Sequence, residues 1–180
     1  MDKIYITGTG RCGTTFLIKI LSFLNLDTGY DKHTYKHFIS SNCNSGMERL
    51  YNAPFHIIKN PNIMLNISHI VKNSDIKIKK IIIPVRKYID SAKSRVYHQN
   101  KNGGLWLATD EKSQIRFYEQ IMANYIYTMI KYDIPTLFLD FDKMTTDKNY
   151  LFEQLRFILD EHNIQIETFS KAYDEVSLNC

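Results

Sequence analysis

Short apolar runs alternate along this chain with longer segments whose apolar residues recur every three or four positions. The runs are typical of β-strands, and we predict strands that begin at Ile4 and that span residues 53–59, 80–86 and 136–141. The longer segments predict α-helices over residues 14–24, 61–72, 88–97, 113–131 and 148–160, with one more short helix in the tail. Alternating strands and helices predict right-handed crossovers, and hence a three-layer α/β/α fold around a mostly parallel sheet of four or five strands.

The run over residues 80–86 is apolar without alternation, which indicates a strand buried on both faces of a parallel sheet. Pro84 near its end is tolerable only where a ladder hydrogen bond is not needed.

Two segments show no clean period. Residues 28–48 are polar, aromatic and rich in histidine, and we interpret them as a loop with a short helix near the opening of a site. Residues 100–110 contain Gly103, Gly104 and Trp106, and predict a long surface loop.

The first strand ends at Gly8, and a continuous apolar helical pattern begins directly after Gly13. A strand, a tight turn and a helix start in this order point backbone N–H groups at an anion. Gly8 and Gly13 have the G-x-x-x-x-G spacing of a P-loop, but Thr14 stands where a P-loop has lysine, and Arg11 carries the positive charge instead. The expected anion is therefore a phosphate ester other than the end of a triphosphate.

The string from Gly10 to Phe16 resembles the 5′-phosphosulfate loop of sulfotransferases that use 3′-phosphoadenosine 5′-phosphosulfate (PAPS). A second motif, in which Asp90 and Ser94 follow Arg86 by four and eight residues, resembles the 3′-phosphate element of the same family. Arginine supplies a bidentate charged fork and serine a hydroxyl donor to one phosphate. The resemblance covers about two thirds of the chain through these motifs and the strand order.

The resemblance implies which residues bind PAPS and its product PAP. They are Gly10, Arg11, Cys12, Gly13, Thr14, Thr15 and Phe16 in the first motif, and Arg86 and Ser94 in the second. Phe16 would border the adenosine, or else pack in the core. Asp90 would organise the helix start, and the alternative for the second motif is an Arg86–Asp90 pair across the helix N-terminus. The C-terminal Arg-Lys-Gly element that cytosolic members use on the 3′-phosphate is absent.

For catalysis, the resemblance implies that an acceptor hydroxyl or amine attacks sulfur in line while negative charge grows on the bridging oxygen of the leaving PAP. Arg11 and Lys59, which matches a lysine after the second strand, would stabilise that charge, and no metal is demanded. Cytosolic members place a histidine shortly after this lysine, whereas Asn60 and Pro61 follow here. The loop after helix one resembles bacterial carbohydrate-modifying members instead, which makes Asp31 the first candidate for the general base. His33 and Glu48 are the next candidates, and each of the three is alternatively a surface polar residue.

The chain has 180 residues, 44% of them hydrophobic, which is enough for one domain over residues 1–180. Its net charge of +4 suits a polyanionic ligand but falls short of a nucleic-acid binder. Three widely spaced cysteines, Cys12, Cys43 and Cys180, predict no disulfide framework and a reducing compartment. The first strand begins too early for a signal peptide, and no apolar run is long enough to span a membrane. We expect a cytoplasmic enzyme with a glycan or small-molecule acceptor; the sequence leaves the oligomeric state open.

Other interpretations remain open. A P-loop kinase or nucleotidase would use Asp140, at the end of an apolar strand, to hold magnesium, although Thr14 in place of lysine counts against it. A non-catalytic module could retain the anion site without turnover. His33 and His37 have i, i+4 spacing, but no third zinc ligand is evident, so no metal site is expected. Trp106 could stack on a sugar ring, or anchor its loop on the body.

Overall fold

The structure, a computed structural model, describes residues 2–40, 45–73, 75–98 and 103–178. Six strands follow one another along the chain: β1 (Lys3–Ile6), β2 (Ile39–Ser40), β3 (Ser45–Gly46), β4 (Ile57–Lys59), β5 (Ile78–Val85) and β6 (Thr136–Asp140). Seven α-helices accompany them: α1 (Thr14–Phe23), α2 (Asn62–Asn73), α3 (Tyr88–His98), α4 (Glu111–Lys131), α5 (Phe141–Thr146), α6 (Lys148–Leu159) and α7 (Ile166–Leu178). Single 3₁₀ turns cover Tyr35–Phe38 and Asp160–His162.

Four strands form one parallel sheet in the order β4-β1-β5-β6, and β2 and β3 form a separate antiparallel pair. Helices cover both faces of the parallel sheet. One core packs α1, α5, α6 and α7 against one face, and a second core packs α2, α3 and α4 against the other. The predicted three-layer α/β/α fold is therefore confirmed, with four strands in the sheet.

The burial of strand β5 on both faces explains why its sequence is apolar without alternation. Ile82 points into the core formed with α1, whereas its neighbours Ile81 and Ile83 point into the core formed with α2 and α4. Both faces are buried, as predicted, because successive side chains of a strand point to opposite faces. Pro84 pairs in register with Leu139 of β6, but it lies beyond the last pair that β5 makes with β1. Its missing N–H is tolerated at this end of the strand.

Several elements differ from the prediction, among them the antiparallel pair of β2 and β3, which was not predicted. The strand predicted over residues 53–59 is shorter, Ile57–Lys59, because turns occupy the residues before it, where Pro54 cannot donate to a ladder. The third strand begins earlier, at Ile78. The six-residue helix α5 was not predicted, since a helix this short shows no periodicity. None of the described helices combines the length and apolar character needed to cross a membrane.

The sheet order places a topological switch point between β1 and β5. The chain moves from β1 to β4 on one side and then crosses to β5 on the other side of β1. The loops that leave the carboxyl ends of β1 and β5 therefore diverge and open a crevice between them, which is where open parallel sheets bind ligands. The two predicted phosphate motifs follow these two strands.

Candidate functional site

A cleft of about 480 Å³ opens at the carboxyl ends of the parallel strands. Its volume lies in the range of small-molecule sites, roughly 300–1,000 Å³. The structure brings eight of the predicted site residues together in its wall: Gly10, Arg11, Gly13, Thr14, Thr15, Phe16, Lys59 and Arg86. Strands separated by more than 70 positions in the sequence contribute to one crevice because their carboxyl ends share one edge of the sheet.

The loop between β1 and α1 has the backbone geometry of an anion cradle. Gly13 adopts φ 90° and precedes α1, to which it offers no side-chain cap. A Cβ atom at Gly13 would lie 2.5 Å from Cε of Met144, so a larger residue would have to shift that side chain and would also be strained at this φ. Arg11 also adopts a left-handed conformation, with φ 56°. Gly13, Thr14 and Thr15 line the cleft, so the start of α1, whose first N–H groups have no partner within the helix, lies at the cleft.

The two predicted phosphate motifs are in direct contact. Nη1 of Arg86 donates to the carbonyl oxygen of Arg11 at 3.2 Å, and the Arg86 guanidinium lies 4.6 Å from the ring centroid of Phe141. In return, Nε of Arg11 donates to Oγ of Ser94 at 3.0 Å. Ser94 is not part of the cleft wall and reaches the site through Arg11. Arg86 is therefore held by the first motif, rather than by an ion pair with Asp90 within the described chain.

Lys59, the last residue of β4, buries its ammonium group in the wall of the cleft, with only 2% of the residue exposed. Nζ donates to Oγ1 of Thr15 at 3.2 Å, to the carbonyl oxygen of Gly46 at 2.6 Å and to the carboxylate of Glu48. Glu48 also lines the cleft, and 42% of its side chain is exposed. The third candidate for the general base thus lies beside Lys59, in the wall of the cleft.

The other two candidates for the base lie outside the cleft wall. The carboxylate of Asp31 accepts hydrogen bonds from the backbone of His33 at 2.7 Å, from the backbone of Thr34 at 2.9 Å and from the hydroxyl of Thr34 at 2.7 Å. These bonds, first of all the one from the Thr34 side chain, lower the pKa of Asp31. Asp31 and His33 are both exposed. Within the described part of the chain, no group of three or more His, Cys, Asp or Glu side chains is placed to hold a metal ion.

The side chain of Cys12 is completely buried and does not reach the cleft. Burial raises the pKa of its thiol, so a ligand would meet the backbone of this residue rather than a thiolate. Cys43 and Cys180, on which the prediction about disulfides also depends, lie outside the described residues. Phe16 borders the cleft and also packs edge-to-face on Tyr173, with centroids 5.5 Å apart. Its two predicted roles are thus compatible.

Sequence reasoning missed a fourth cation, Arg95, which lines the cleft and is only 8% exposed. The available signal is its spacing, since Arg95 lies three residues after Ala92 and four after Ser91 on the buried side of α3. Counting Arg11, Lys59 and Arg86, four cations line the cleft with one carboxylate, Glu48. Three positive charges in excess favour a multiply charged anion.

Asp140, the residue that a magnesium-dependent enzyme would use, has a local role in this structure. It is the N-cap of α5, and its carboxylate accepts a hydrogen bond from the backbone N–H of Lys143 at 3.0 Å. It is not part of the cleft wall. This placement counts further against the kinase interpretation.

Comparisons with protein-family models, with curated proteins and with solved structures find no match to the chain. The fold and the site by themselves define a parallel α/β domain with a basic cleft at a P-loop-type turn that lacks the P-loop lysine. The likeness to sulfotransferases accordingly rests on the two motifs and on their meeting at this cleft.

Proposed function

We propose that the protein is a PAPS-dependent sulfotransferase that moves a sulfuryl group to a hydroxyl or amine of a carbohydrate or small molecule and releases PAP. One observation carries the proposal. The two motifs predicted to bind phosphate, one after each strand of the switch point, interlock through the Arg86–Arg11 and Arg11–Ser94 hydrogen bonds. PAP carries one phosphate on the 3′ oxygen and one on the 5′ oxygen of the same ribose, and it needs two neighbouring anion sites of this kind.

The residues of the cleft fit such a ligand. Arg11 and the N–H groups at the start of α1 would hold the 5′-phosphosulfate, and Arg86 would hold the 3′-phosphate. Ser94 would join Arg86 only after Arg11 exchanges its bond to the Ser94 hydroxyl for one to the ligand. The excess positive charge of the wall would offset the charge of the nucleotide without a divalent ion.

When bound, PAPS supplies the sulfuryl group, and the electron pair of the broken sulfur–oxygen bond stays on the 5′-phosphate of PAP. Arg11 places positive charge where negative charge grows, which lowers the barrier. Lys59 uses its three N–H donors on Thr15, Gly46 and Glu48, so it contributes its charge and the position of Glu48. Glu48, half-exposed at the cleft, would take the proton of the acceptor.

We expect Glu48→Gln to lower kcat about a hundredfold, at the lower end of what a general base contributes, because the amide cannot accept the acceptor's proton. Asp31→Asn is the matched control, because Asp31 is the first candidate for the general base that the sequence predicts. We expect it to leave kcat within about threefold, since Asp31 is outside the cleft wall. Both are measured with the acceptor that a transfer assay identifies. The reverse ranking would return the role of base to Asp31.

Isothermal titration calorimetry with PAP tests the proposal directly. We expect PAP to bind in the presence of EDTA, and ATP to bind no more tightly when magnesium is added, because the cleft offers cations in place of a metal-holding carboxylate. Magnesium-dependent ATP binding without PAP binding would favour a kinase instead. A sulfate-transfer assay against glycans, lipids and peptides then identifies the acceptor. PAP binding with no transfer to any acceptor would indicate a non-catalytic module.

A further inference from the structure

The buried side chain of Arg95 on α3 reaches the loop between β1 and α1, residues 7–13, which we call the anion loop. Its Nε donates to the hydroxyl of Tyr118 on α4 at 2.7 Å. Nη1 donates to the carbonyl oxygen of Gly104, and Nη2 lies 3.5 Å from the carbonyl oxygen of Thr9 in the loop after β1. The guanidinium is thus fixed by three separate segments, and its orientation is set before any ligand arrives.

The backbone of the anion loop is shaped around this guanidinium. Gly10 adopts φ 78°, and a Cβ atom on it would lie 2.0 Å from Nη2 of Arg95. Any larger residue at position 10 would therefore displace Arg95 from the loop. The close approach places Nη2 beside a turn whose residues Gly10, Arg11 and Gly13 line the cleft, and Arg95 is itself part of the cleft wall.

The charge of Arg95 is balanced by no carboxylate among its contacts in the described part of the chain. Its partners are one hydroxyl and two carbonyl oxygens, all neutral. A cation that is 92% buried is costly unless an anion compensates it. Three of the five guanidinium N–H groups point to these partners, which leaves two that can donate to a ligand in the cleft. An oxyanion seated there would supply the missing negative charge.

The same guanidinium holds one wall of the cleft. It lies 5.2 Å from the ring centroid of Trp106, and it binds the carbonyl oxygen of Gly104 two residues earlier. Gln114 fixes the Trp106 backbone from the other side, with its Oε1 accepting at 2.7 Å and its Nε2 donating at 3.2 Å. A substitution of Arg95 would therefore change the surroundings of Trp106, which is the only tryptophan of the chain.

We propose that Arg95 is a further anion-binding arginine of this cleft, which donates to a phosphate-type oxyanion of the ligand and links its binding to the position of Trp106. The identity of the ligand as PAP rests on the proposed function. The anion-binding role of Arg95 requires only an oxyanion at the loop after β1. The two probes are accordingly PAP and inorganic pyrophosphate.

The experiment compares Arg95→Lys with Tyr118→Phe by calorimetry, at a temperature where both variants are folded. Arg95→Lys keeps the charge but loses the forked guanidinium, and we expect it to weaken the binding of PAP and of pyrophosphate about tenfold or more. Tyr118→Phe removes one hydrogen-bond partner of Arg95 and keeps the guanidinium, so we expect the affinity for both probes to fall less than about threefold. Arg95→Gln serves the same comparison if the lysine variant does not fold. Equal losses in the arginine and tyrosine variants, or no loss in either, would overturn the proposal.

The fluorescence of Trp106 supplies an independent readout. We expect its emission to shift when pyrophosphate or PAP binds to the unmodified protein and to Tyr118→Phe, and the shift to shrink in Arg95→Lys at saturating ligand. An unchanged emission on binding would overturn the link to Trp106. If pyrophosphate binds through Arg95 but PAP does not bind, the proposed function fails and the role of Arg95 stands. If neither probe binds, both fail.

Discussion

Replacing Arg86 by alanine is expected to weaken PAP binding at least about thirtyfold, and at the upper end of the expected cost to remove measurable binding. The side chain follows a buried strand at the switch point, is oriented by Phe141 and by the Arg11 carbonyl, and would form a bidentate pair with the 3′-phosphate. Truncating one partner of a buried charged pair costs about 2–5 kcal/mol, which corresponds to roughly a 30- to 4,000-fold loss of affinity. Calorimetry at fixed ionic strength measures the change.

Arg156→Ala is the matched control for this variant, because it also removes one arginine, from the exposed surface of α6. We expect the control to leave PAP affinity within about twofold, since only screened surface ion pairs are lost. A similar affinity for Arg86→Ala and the control would show that the 3′-phosphate is held elsewhere. It would also contradict the sulfotransferase interpretation of the second motif.

Arg11→Ala is expected to lower turnover roughly 10²- to 10³-fold while weakening PAP binding far less. The charge of Arg11 matters most where negative charge develops during the transfer, so its loss raises the barrier more than the free energy of the bound nucleotide. The N–H groups of α1 and the fork of Arg86 remain to hold the ligand. Release of PAP from PAPS under saturating conditions gives kcat, and calorimetry gives the Kd of PAP.

Arg11→Lys is the control that separates the effect of the positive charge from the effect of the side-chain geometry. We expect it to recover part of the lost turnover, since a lysine ammonium keeps the charge but not the planar fork. The division of roles between the motifs depends on the contrast between Arg11→Ala and Arg86→Ala. Small and equal effects of both on binding and turnover would contradict that division, even if the protein still bound PAP.

The layered architecture could be predicted from the sequence because its signals are local. The unbroken apolar run before Arg86 and the periodic segment over residues 113–131 each report burial within one element, and both elements formed as the predicted type, each beginning two residues early. The boundaries were less accurate where local signals conflict. Pro54 shortened β4, and the six residues of α5 are too few to show a period.

The site was predictable where a residue lies at the end of a strand or in the loop that leaves it. Arg11, Lys59 and Arg86 converge because the carboxyl ends of parallel strands meet at one edge, as the predicted parallel sheet already implies. Glu48 and Asp31 could not be ranked in this way, since both lie in a segment without periodicity. Their placement follows from contacts with Lys59 in one case and with His33 and Thr34 in the other.

The sequence by itself determined the order of the four strands of the parallel sheet and of the longer helices along the chain, the glycine turn after the first strand, and the absence of the P-loop lysine at Thr14. Only the tertiary structure decided that Arg95 is a buried member of the cleft, because its neighbours Thr9, Gly104 and Tyr118 come from three other segments. Periodicity records which side of a helix is buried. It carries no information on which distant groups meet that side, and the charge balance of the cleft depends on those groups.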